Sequence, residues 1–320
     1  MSKLTEKPNV IVILGPTASG KTELSIKLAK KINGEIISAD SRQVYKGLNL
    51  GTGKVTKKEM AGIPHHLLDI INPQNKFSVS KYQKLAKRKI ADILKRNKIP
   101  IIVGGTGFYI QALVDDLALP KVKPDKKLRA KLKQKTTAEL FAILQKLDPK
   151  RAQTIDNKNS VRLIRAIEIT KSLGQVPKLK KTNSHFNFIQ IGLQPKPSRL
   201  QIKIKKRLSN RLKQGLIAEA KKLHQNGLTW KRMEELGLEY RYLARFLRDK
   251  IKKEQMIQEL ETEINHYAKK QMTWFKRDSR IIWFDPADKN LFKKTMALIK
   301  SGSWRNRTPN DGFGDRSYTI

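Results

Sequence analysis

The 320-residue sequence contains no cysteine, which excludes disulfide bonds, thiol catalysis and cysteine-ligated zinc sites. It also lacks any apolar run near the roughly 20 residues that a membrane-spanning helix needs. The first residues, Met1 to Asn9, are polar and show no signal-peptide pattern. Together these absences predict a cytoplasmic protein with no membrane association.

Acidic residues are scarce, with 28 Asp and Glu against 68 Lys and Arg, and the formal net charge is +40. Such an excess is typical of proteins that bind a polyanion, most often nucleic acid. A general lysine bias or a salt-adapted surface is the alternative. Local clustering favours the first interpretation, because residues 121–135 hold eight basic side chains and one acidic one, and residues 201–214 hold six basic and none acidic.

Hydrophobic patterning in the first third of the chain alternates between strand-like and helix-like segments. Short apolar runs at Val10–Leu14, Glu35–Ile37 and Pro100–Val103 are separated by helical patterns, including one over Ser80–Asn97. This alternation predicts the α/β class, with a parallel sheet covered on both faces.

The pattern changes at Pro120, after which short, highly charged helices are predicted up to about residue 180. Strand-like runs return at Asn187–Leu193 and Ile281–Phe284, with helices over Ser198–Arg277 between them. We therefore predict an α/β core from residues 1–120 and 181–300 with C-terminal helices, and a helical insertion from residues 121–180. The polar residues 301–320 are predicted to be a disordered tail.

A phosphate-binding loop is indicated where the first strand ends. The eight residues fit the G-x-x-x-x-G-K-[ST] pattern between a strand and a helix: Gly15, Pro16, Thr17, Ala18, Ser19, Gly20, Lys21 and Thr22. Backbone N–H groups of such a loop converge on phosphate oxygens, Lys21 adds a positive charge, and Thr22 can bind Mg²⁺ through its hydroxyl. The loop predicts a bound phosphate chain and does not by itself predict phosphoryl transfer.

Further motifs occur in a fixed order along the chain. They are DSRQVY at 40–45, GTGK at 51–54, PHHLLD at 64–69, VGGTGFY at 103–109, RLIRAIE at 162–168 and YAKKQMTWF at 267–275. Together with the phosphate loop, these segments resemble the tRNA dimethylallyltransferases, also called tRNA isopentenyltransferases, over about residues 9–285.

This resemblance implies a P-loop NTPase-like core whose helical insertion grips the anticodon stem-loop of tRNA. It implies dimethylallyl diphosphate as the donor, Mg²⁺ as the cofactor, and N6 of adenosine 37 beside the anticodon as the acceptor. We expect a monomer, because the tRNA must be embraced by core and insertion.

Four residues are predicted to be catalytic: Asp40, Thr106, Lys21 and Arg207. Lys21 would stabilise the departing diphosphate, and Asp40 would accept the proton of the weakly nucleophilic adenine amine. The resemblance places Thr106 near the allylic group and Arg207 near the donor or the tRNA. The alternatives are that Asp40 only caps a turn, that Thr106 bonds backbone, and that Arg207 is a surface charge.

The predicted tRNA-binding residues lie on the two turns, the insertion and a late helix. They are Asp40, Ser41, Arg42, Gln43, Thr106, Arg129, Arg162, Arg165, Lys269, Lys270, Gln271 and Trp274. Side chains at 41–43 could read an extruded base. A solvated basic stripe is the alternative for the arginines, and a core position is the more frequent role of a tryptophan such as Trp274.

Two adjacent histidines, His65 and His66, do not predict a metal site, because neighbouring side chains cannot face one ion and no further ligand lies nearby. A structural pair near the sheet end is expected instead, with Asp69 ordering the site.

Three departures from the family are visible. Lys270 stands where the family often has Arg, Arg211 stands where it often has Met, and the 320 residues hold no cysteine for a zinc finger like that of the eukaryotic members. The extra charge of Arg211 is expected either to touch RNA or to be solvated.

Three other functions remain as alternatives: a small-molecule kinase with the same loop, an adenylate isopentenyltransferase that modifies free nucleotide, and a non-catalytic RNA-binding module. The basic insertion argues against the first two. The intact Lys21, Thr22 and Asp40 argue against the third.

Overall fold

The computed structural model describes residues 7–301, so the predicted disordered tail lies outside the described residues, apart from Ser301. The described chain forms two compact units. The larger comprises residues 7–114 and 184–301, and the smaller comprises residues 115–183. Within residues 7–301, no helix is long and apolar enough to cross a membrane.

The larger unit is built on a parallel sheet, which confirms the predicted α/β class. Its strands are β1 (Asn9–Leu14), β2 (Gly34–Ser38), β3 (His65–His66), β4 (Ile99–Gly104), β5 (Asn187–Leu193) and β6 (Ile282–Phe284). Their spatial order is β3-β2-β4-β1-β5-β6, and all neighbours are parallel.

Helices cover both faces of this sheet. The first group is α1 (Lys21–Ile32), α2 (Lys57–Met60), α3 (Val79–Lys95) and α4 (Gly107–Val114). Successive residues of β1 point to opposite faces. Val10 and Val12 therefore join a cluster with side chains of α3 and α4, whereas Ile11 and Ile13 pack with side chains of α1.

The remaining helices of this unit follow β5, and all but the last of them contribute to a third cluster of apolar side chains. They are α9 (Pro197–Lys213), α10 (Leu216–Gln225), α11 (Trp230–Leu236), α12 (Leu238–Phe246), α13 (Lys253–Phe275) and α14 (Leu291–Ser301). Leu208, Leu216, Tyr240, Leu243 and Leu260 are all almost completely buried in this third cluster. Apolar side chains of the last helix pack against the cluster that contains Ile11 and Ile13.

The smaller unit is helical, with α5 (Lys126–Leu132), α6 (Thr137–Leu147), α7 (Pro149–Ala152) and α8 (Ser160–Leu173). Each helix begins after a side chain that accepts a hydrogen bond from a backbone N–H in its first turn, at Asp125, Thr136, Asp148 and Asn159. Leu140, Leu144, Leu163 and Ile167 give this unit an apolar core of its own.

The edge strand β3 was not predicted from the sequence. Its histidines serve a structural purpose, as expected: His66 Nε2 lies 2.7 Å from a Glu35 carboxylate oxygen, and His65 Nδ1 lies 2.8 Å from the Ile63 carbonyl. Glu35 is 1% exposed on β2 and also accepts hydrogen bonds from Arg96 and Lys98. Asp69 pairs with Lys54.

Candidate active site

Three turns lie side by side at the carboxyl edge of the sheet. Residues 15–20 follow β1, residues 39–45 follow β2 and residues 105–106 follow β4. Since β2, β4 and β1 are consecutive neighbours and parallel, these turns emerge at the same edge. Ligands of open parallel sheets bind at this edge, so it is the candidate site.

The phosphate loop connects β1 to the N-terminus of α1. Gly20 precedes the helix with φ of 93°, a left-handed conformation that glycine adopts without strain. The Lys21 ammonium folds back onto the loop, where it donates to the carbonyls of Gly15 at 3.0 Å and Pro16 at 2.6 Å. Burial and the nearby positive charge of Arg207 lower the pKa of Lys21 to about 7, against the opposing influence of Asp40.

The Asp40 turn is held by the side chain of Asp40 itself. Its Oδ1 accepts hydrogen bonds from the backbone N–H groups of Arg42 at 2.7 Å and Gln43 at 3.2 Å. The alternative that Asp40 only caps a turn therefore accounts for one oxygen of its carboxylate, Oδ1. Both bonds fall on Oδ1, so the turn fixes the orientation of the second oxygen as well.

The third turn is joined directly to the Asp40 turn. Gly104 permits this approach, because a Cβ at this position would lie 2.2 Å from the carbonyl oxygen of Ala39. The Thr106 N–H donates to the same carbonyl at 3.2 Å. Thr106 Oγ1 accepts from the Ser41 N–H at 3.0 Å, which leaves the hydroxyl proton to be donated elsewhere.

Gln271 on α13 connects the third turn to the phosphate loop. It is 6% exposed, its Oε1 accepts from the Thr17 N–H at 2.8 Å, and its Nε2 donates to the Gly105 carbonyl at 2.8 Å. Both ends of the amide are thus engaged with core turns. In this structure the side chain that was predicted to contact tRNA holds two parts of the site together.

The side-chain amide of Gln43, like that of Gln271, connects separate segments of the chain. Its Oε1 accepts from the Ser38 hydroxyl at 3.2 Å, and its Nε2 lies within hydrogen-bond reach of the carbonyls of Thr52 and Gly53. Its amide therefore orders the turn at 52–53. Ser41, Arg42 and Gln43 are all half-buried.

Arg207 reaches the phosphate loop from α9, where its Nη1 donates to Thr17 Oγ1 at 3.2 Å. One turn later on α9, Arg211 is 8% exposed and pairs with Glu239 at 3.1 Å. The expectation that Arg211 is solvated is therefore wrong: Glu239 on α12 neutralises its charge in the interior. Sequence reasoning missed Glu239, because no local pattern indicates which acidic residue will meet a buried arginine.

The other predicted residues of α13 face outward or pack beside the third turn. Lys269 and Lys270 are exposed. Trp274 is half-buried, with its indole against Gly107 and its ring edge-on to Phe108 at 6.2 Å between centroids. Trp274 thus packs partly against the core, and its contact with tRNA remains a prediction.

The three predicted arginines of the insertion are engaged within the smaller unit. Arg129 and Arg165 both bind the carboxylate of Glu168, which is 3% exposed. Arg162 pairs with Asp156 at 3.3 Å. The structure thus gives Arg129 and Arg165 a stabilising role, and their contact with tRNA remains a prediction.

A Mg²⁺ ion at this edge of the sheet remains a prediction. Among residues 7–301, no group of three or more His, Asp or Glu could hold a metal ion. Mg²⁺ commonly uses one or two protein oxygens together with substrate phosphates and water. Thr22, exposed in the first turn of α1, offers such an oxygen beside the phosphate loop.

Comparison with known proteins identifies the family of the chain. The family model described as IPP transferase matches residues 43–278. The chain is 40% identical to the tRNA dimethylallyltransferase of Carboxydothermus hydrogenoformans, over 93% of this chain and 98% of the relative.

Two solved structures extend the likeness to the fold. One is a full-length tRNA isopentenylpyrophosphate transferase from Bacillus halodurans, 37% identical with a TM-score of 0.70, covering 94% of this chain and 97% of that one. The other is a eukaryotic dimethylallyltransferase acting on tRNA, 29% identical with a TM-score of 0.75, covering 94% of this chain and 80% of that one. The chain therefore belongs to the IPP transferase family, the family of the tRNA dimethylallyltransferases.

Proposed function

We propose that this protein transfers the dimethylallyl group of dimethylallyl diphosphate to N6 of adenosine 37 in tRNA and releases diphosphate. The observation that carries the proposal is the junction of three turns at one sheet edge. Thr106 joins the Asp40 turn to the third turn, and Gln271 joins the third turn to the phosphate loop. A phosphate-binding element and a carboxylate are thereby fixed in one site.

The phosphate loop side of the site would bind the leaving group. As the bond between the allylic carbon and the bridging oxygen breaks, negative charge builds up on the diphosphate. Lys21, Arg207 and the N–H groups at the start of α1 can stabilise this charge. Mg²⁺ bound through Thr22 and the diphosphate would supply additional positive charge.

The Asp40 side of the site would remove the proton. An adenine amine is weakly nucleophilic, so its proton must leave as the new C–N bond forms. With Oδ1 held by the turn, Oδ2 of Asp40 is the oxygen we assign as acceptor. The free hydroxyl proton of Thr106 can hold an acceptor atom of the base or the donor.

The basic surface would bind the tRNA backbone. Lysines of α5 and the segment after it, including Lys126, Lys127 and Lys131, are exposed and suited to phosphate contacts. We extend the proposal to the anticodon stem-loop as the segment bound and to a monomer as the active form. Light scattering with and without tRNA tests the latter.

An acceptor competition tests the proposed function. Purified protein is incubated with labelled dimethylallyl diphosphate, Mg²⁺, unmodified tRNA, AMP and ATP together. We expect label on the tRNA and none on the free nucleotides, with nuclease mapping placing it on adenosine 37. Label on AMP alone would identify an adenylate isopentenyltransferase and overturn the proposal.

Two controls keep the result interpretable. A tRNA with guanosine in place of adenosine 37 shows whether the modified position is specific. The protein variant Lys21→Met shows whether label incorporation depends on the phosphate loop.

A further inference from the structure

Two arginines of α9 converge beside the phosphate loop. A Cβ placed on Gly53 would lie 1.9 Å from Arg207 Nη2 and 1.8 Å from Arg211 Nη2, so these two nitrogens are close neighbours. The residues are one helical turn apart and therefore share a face of α9. Any larger residue at position 53, which has φ of 58°, would displace both side chains.

The two guanidinium groups use their remaining nitrogens differently. Arg207 Nη1 donates to Thr17 Oγ1 in the phosphate loop, and Arg211 Nη1 pairs with Glu239. Arg211 Nη2 is buried and has no hydrogen-bond partner within residues 7–301. Buried donors are normally paired, so an unpaired guanidinium nitrogen beside a phosphate loop indicates a ligand that accepts its hydrogen bond.

The local charge balance points to the same kind of ligand. Three basic side chains, Lys21, Arg207 and Arg211, lie near one another, and burial together with the charge of Arg211 lowers the pKa of Arg207. Asp40 and Glu239 are the acidic side chains whose charges act on Arg207 most strongly. Like charges at such short range are stabilised by an anion placed between them.

We propose that Arg211 is a second diphosphate-binding guanidinium, which acts beside Arg207 on the anion held by the phosphate loop. Glu239 holds Arg211 through Nη1, and the absence of a side chain at Gly53 gives both Nη2 atoms room. Paired guanidinium groups suit the several oxygens of a diphosphate, because each presents N–H donors in fixed directions. This inference rests on the proposed function.

The competing explanation is that Arg211 and Glu239 form a structural pair without a ligand. The two explanations differ in what happens when only the negative charge is removed. If Arg211 binds diphosphate, Glu239→Gln keeps an acceptor for Nη1 and removes a nearby repulsive charge, so anion affinity stays equal or increases. If the pair only positions α9 and α12, loss of either charge should lower the affinity for the anion to a similar extent.

The test is the affinity for inorganic diphosphate, measured by calorimetry with Mg²⁺ on the full-length protein. The double variant Arg211→Met/Glu239→Gln removes the guanidinium group of Arg211 without leaving a buried carboxylate unpaired. We expect it to bind diphosphate about tenfold more weakly, the loss of one charge-assisted hydrogen bond. Glu239→Gln alone should bind as tightly as the unmodified protein or more tightly.

Unchanged affinity in the double variant would overturn the inference, as would equal weakening by Glu239→Gln alone. Arg211→Lys keeps the charge but presents its donors from a single nitrogen, so several-fold weaker binding is expected. If thermal melting shows that the double variant is unfolded, Arg211→Lys becomes the test variant. Wild-type affinity for diphosphate in Arg211→Lys would then contradict the proposed role of Arg211. Lys21→Met distinguishes failure of this inference from failure of the proposed function. If Lys21→Met loses diphosphate binding and the double variant keeps it, only the role of Arg211 is contradicted. If Lys21→Met binds diphosphate fully, the proposed function is contradicted.

Discussion

Asp40 illustrates how one side chain can satisfy two interpretations. As a turn cap it uses Oδ1, which accepts from two backbone N–H groups. As a general base it would use Oδ2. Replacing the residue with alanine would remove both roles, so a variant is needed that removes only one.

Asp40→Asn is that variant, because an asparagine side-chain oxygen can still accept from the N–H groups of Arg42 and Gln43. We expect it to bind donor and tRNA normally and to lose turnover by about 10²–10⁴-fold, the usual contribution of a general base. Single-turnover kinetics at saturating substrates measure this. Near-normal turnover in Asp40→Asn, with a large loss only in Asp40→Ala, would reduce Asp40 to a turn cap.

Lys21 predicts a pH dependence of donor binding. Its pKa in the free protein is about 7, far below that of an ordinary lysine, mainly because of burial. A bound diphosphate favours the protonated form, so above pH 7 binding must take up a proton and the affinity should fall as pH rises towards 9. Calorimetry in buffers of different ionisation enthalpy measures the proton uptake.

Lys21→Met provides the comparison, since the phosphates of the donor titrate in both proteins. The uptake that we assign to Lys21 should be absent from the variant. Equal proton uptake in the two proteins would contradict this assignment.

At the scale of elements, Glu168 holds the smaller unit together. On α8, its carboxylate accepts from the guanidinium groups of Arg129 on α5 and of Arg165, and from the Asp125 N–H before α5. Burial alone would raise the pKa of Glu168, but these hydrogen bonds outweigh it and keep the pKa below its usual value. The carboxylate therefore stabilises the fold above the unfolded-state pKa, and this stabilisation is lost as pH falls through the folded-state value.

Glu168→Gln should destabilise residues 115–183 by about 3 kcal/mol, because two half-buried arginines lose their counter-ion. Hydrogen exchange should show faster exchange of amides in α5 and α8, while amides of β1 and β4 in the larger unit stay protected. Glu139→Gln, at an exposed capping position of α6, is the matched control and should change little. Equal protection of α5 and α8 in Glu168→Gln would contradict this role.

The elements also show what the sequence could and could not predict. β1, β4 and β5 are confirmed nearly to the residue, because buried parallel strands are continuous apolar runs. β3 was missed, since two histidines at a sheet edge carry no apolar signal.

Within the candidate site, the sequence predicts the position of a local motif between its flanking elements, but it does not predict contacts between residues that are distant along the chain. The phosphate loop follows from its own eight residues and their flanking strand and helix. The bridge made by Gln271 and the burial of Arg211 depend on partners far along the chain. No pattern in a single sequence reveals such partners.

At the scale of the whole molecule, the +40 charge predicts a strong salt dependence of tRNA binding. Contacts to phosphates release counterions, so the logarithm of the affinity should fall linearly with the logarithm of the salt concentration. Filter binding from low to moderate salt measures the slope. A flat plot would leave the charge without this explanation.

We expect three exposed lysines of α5 to account for part of the salt dependence of tRNA binding. Replacing Lys126, Lys127 and Lys131 with alanine should raise the KM for tRNA and make the slope shallower, with an unchanged KM for dimethylallyl diphosphate. Lys30, Lys31 and Lys95, also exposed, lie in the last turns of α1 and α3, at the opposite edge of the sheet from the phosphate loop. They form the matched control, and equal effects of both triple variants would show that only total charge matters.

In this protein the phosphate loop would assist transfer of the dimethylallyl group and not of a phosphoryl group. A donor labelled with one isotope in the allylic group and another in the terminal phosphate tests it in one reaction with unmodified tRNA. We expect the carbon label to appear on tRNA while all phosphorus label is released as inorganic diphosphate, in equal molar amount. Phosphorus label on the tRNA, or diphosphate release without carbon transfer, would contradict it.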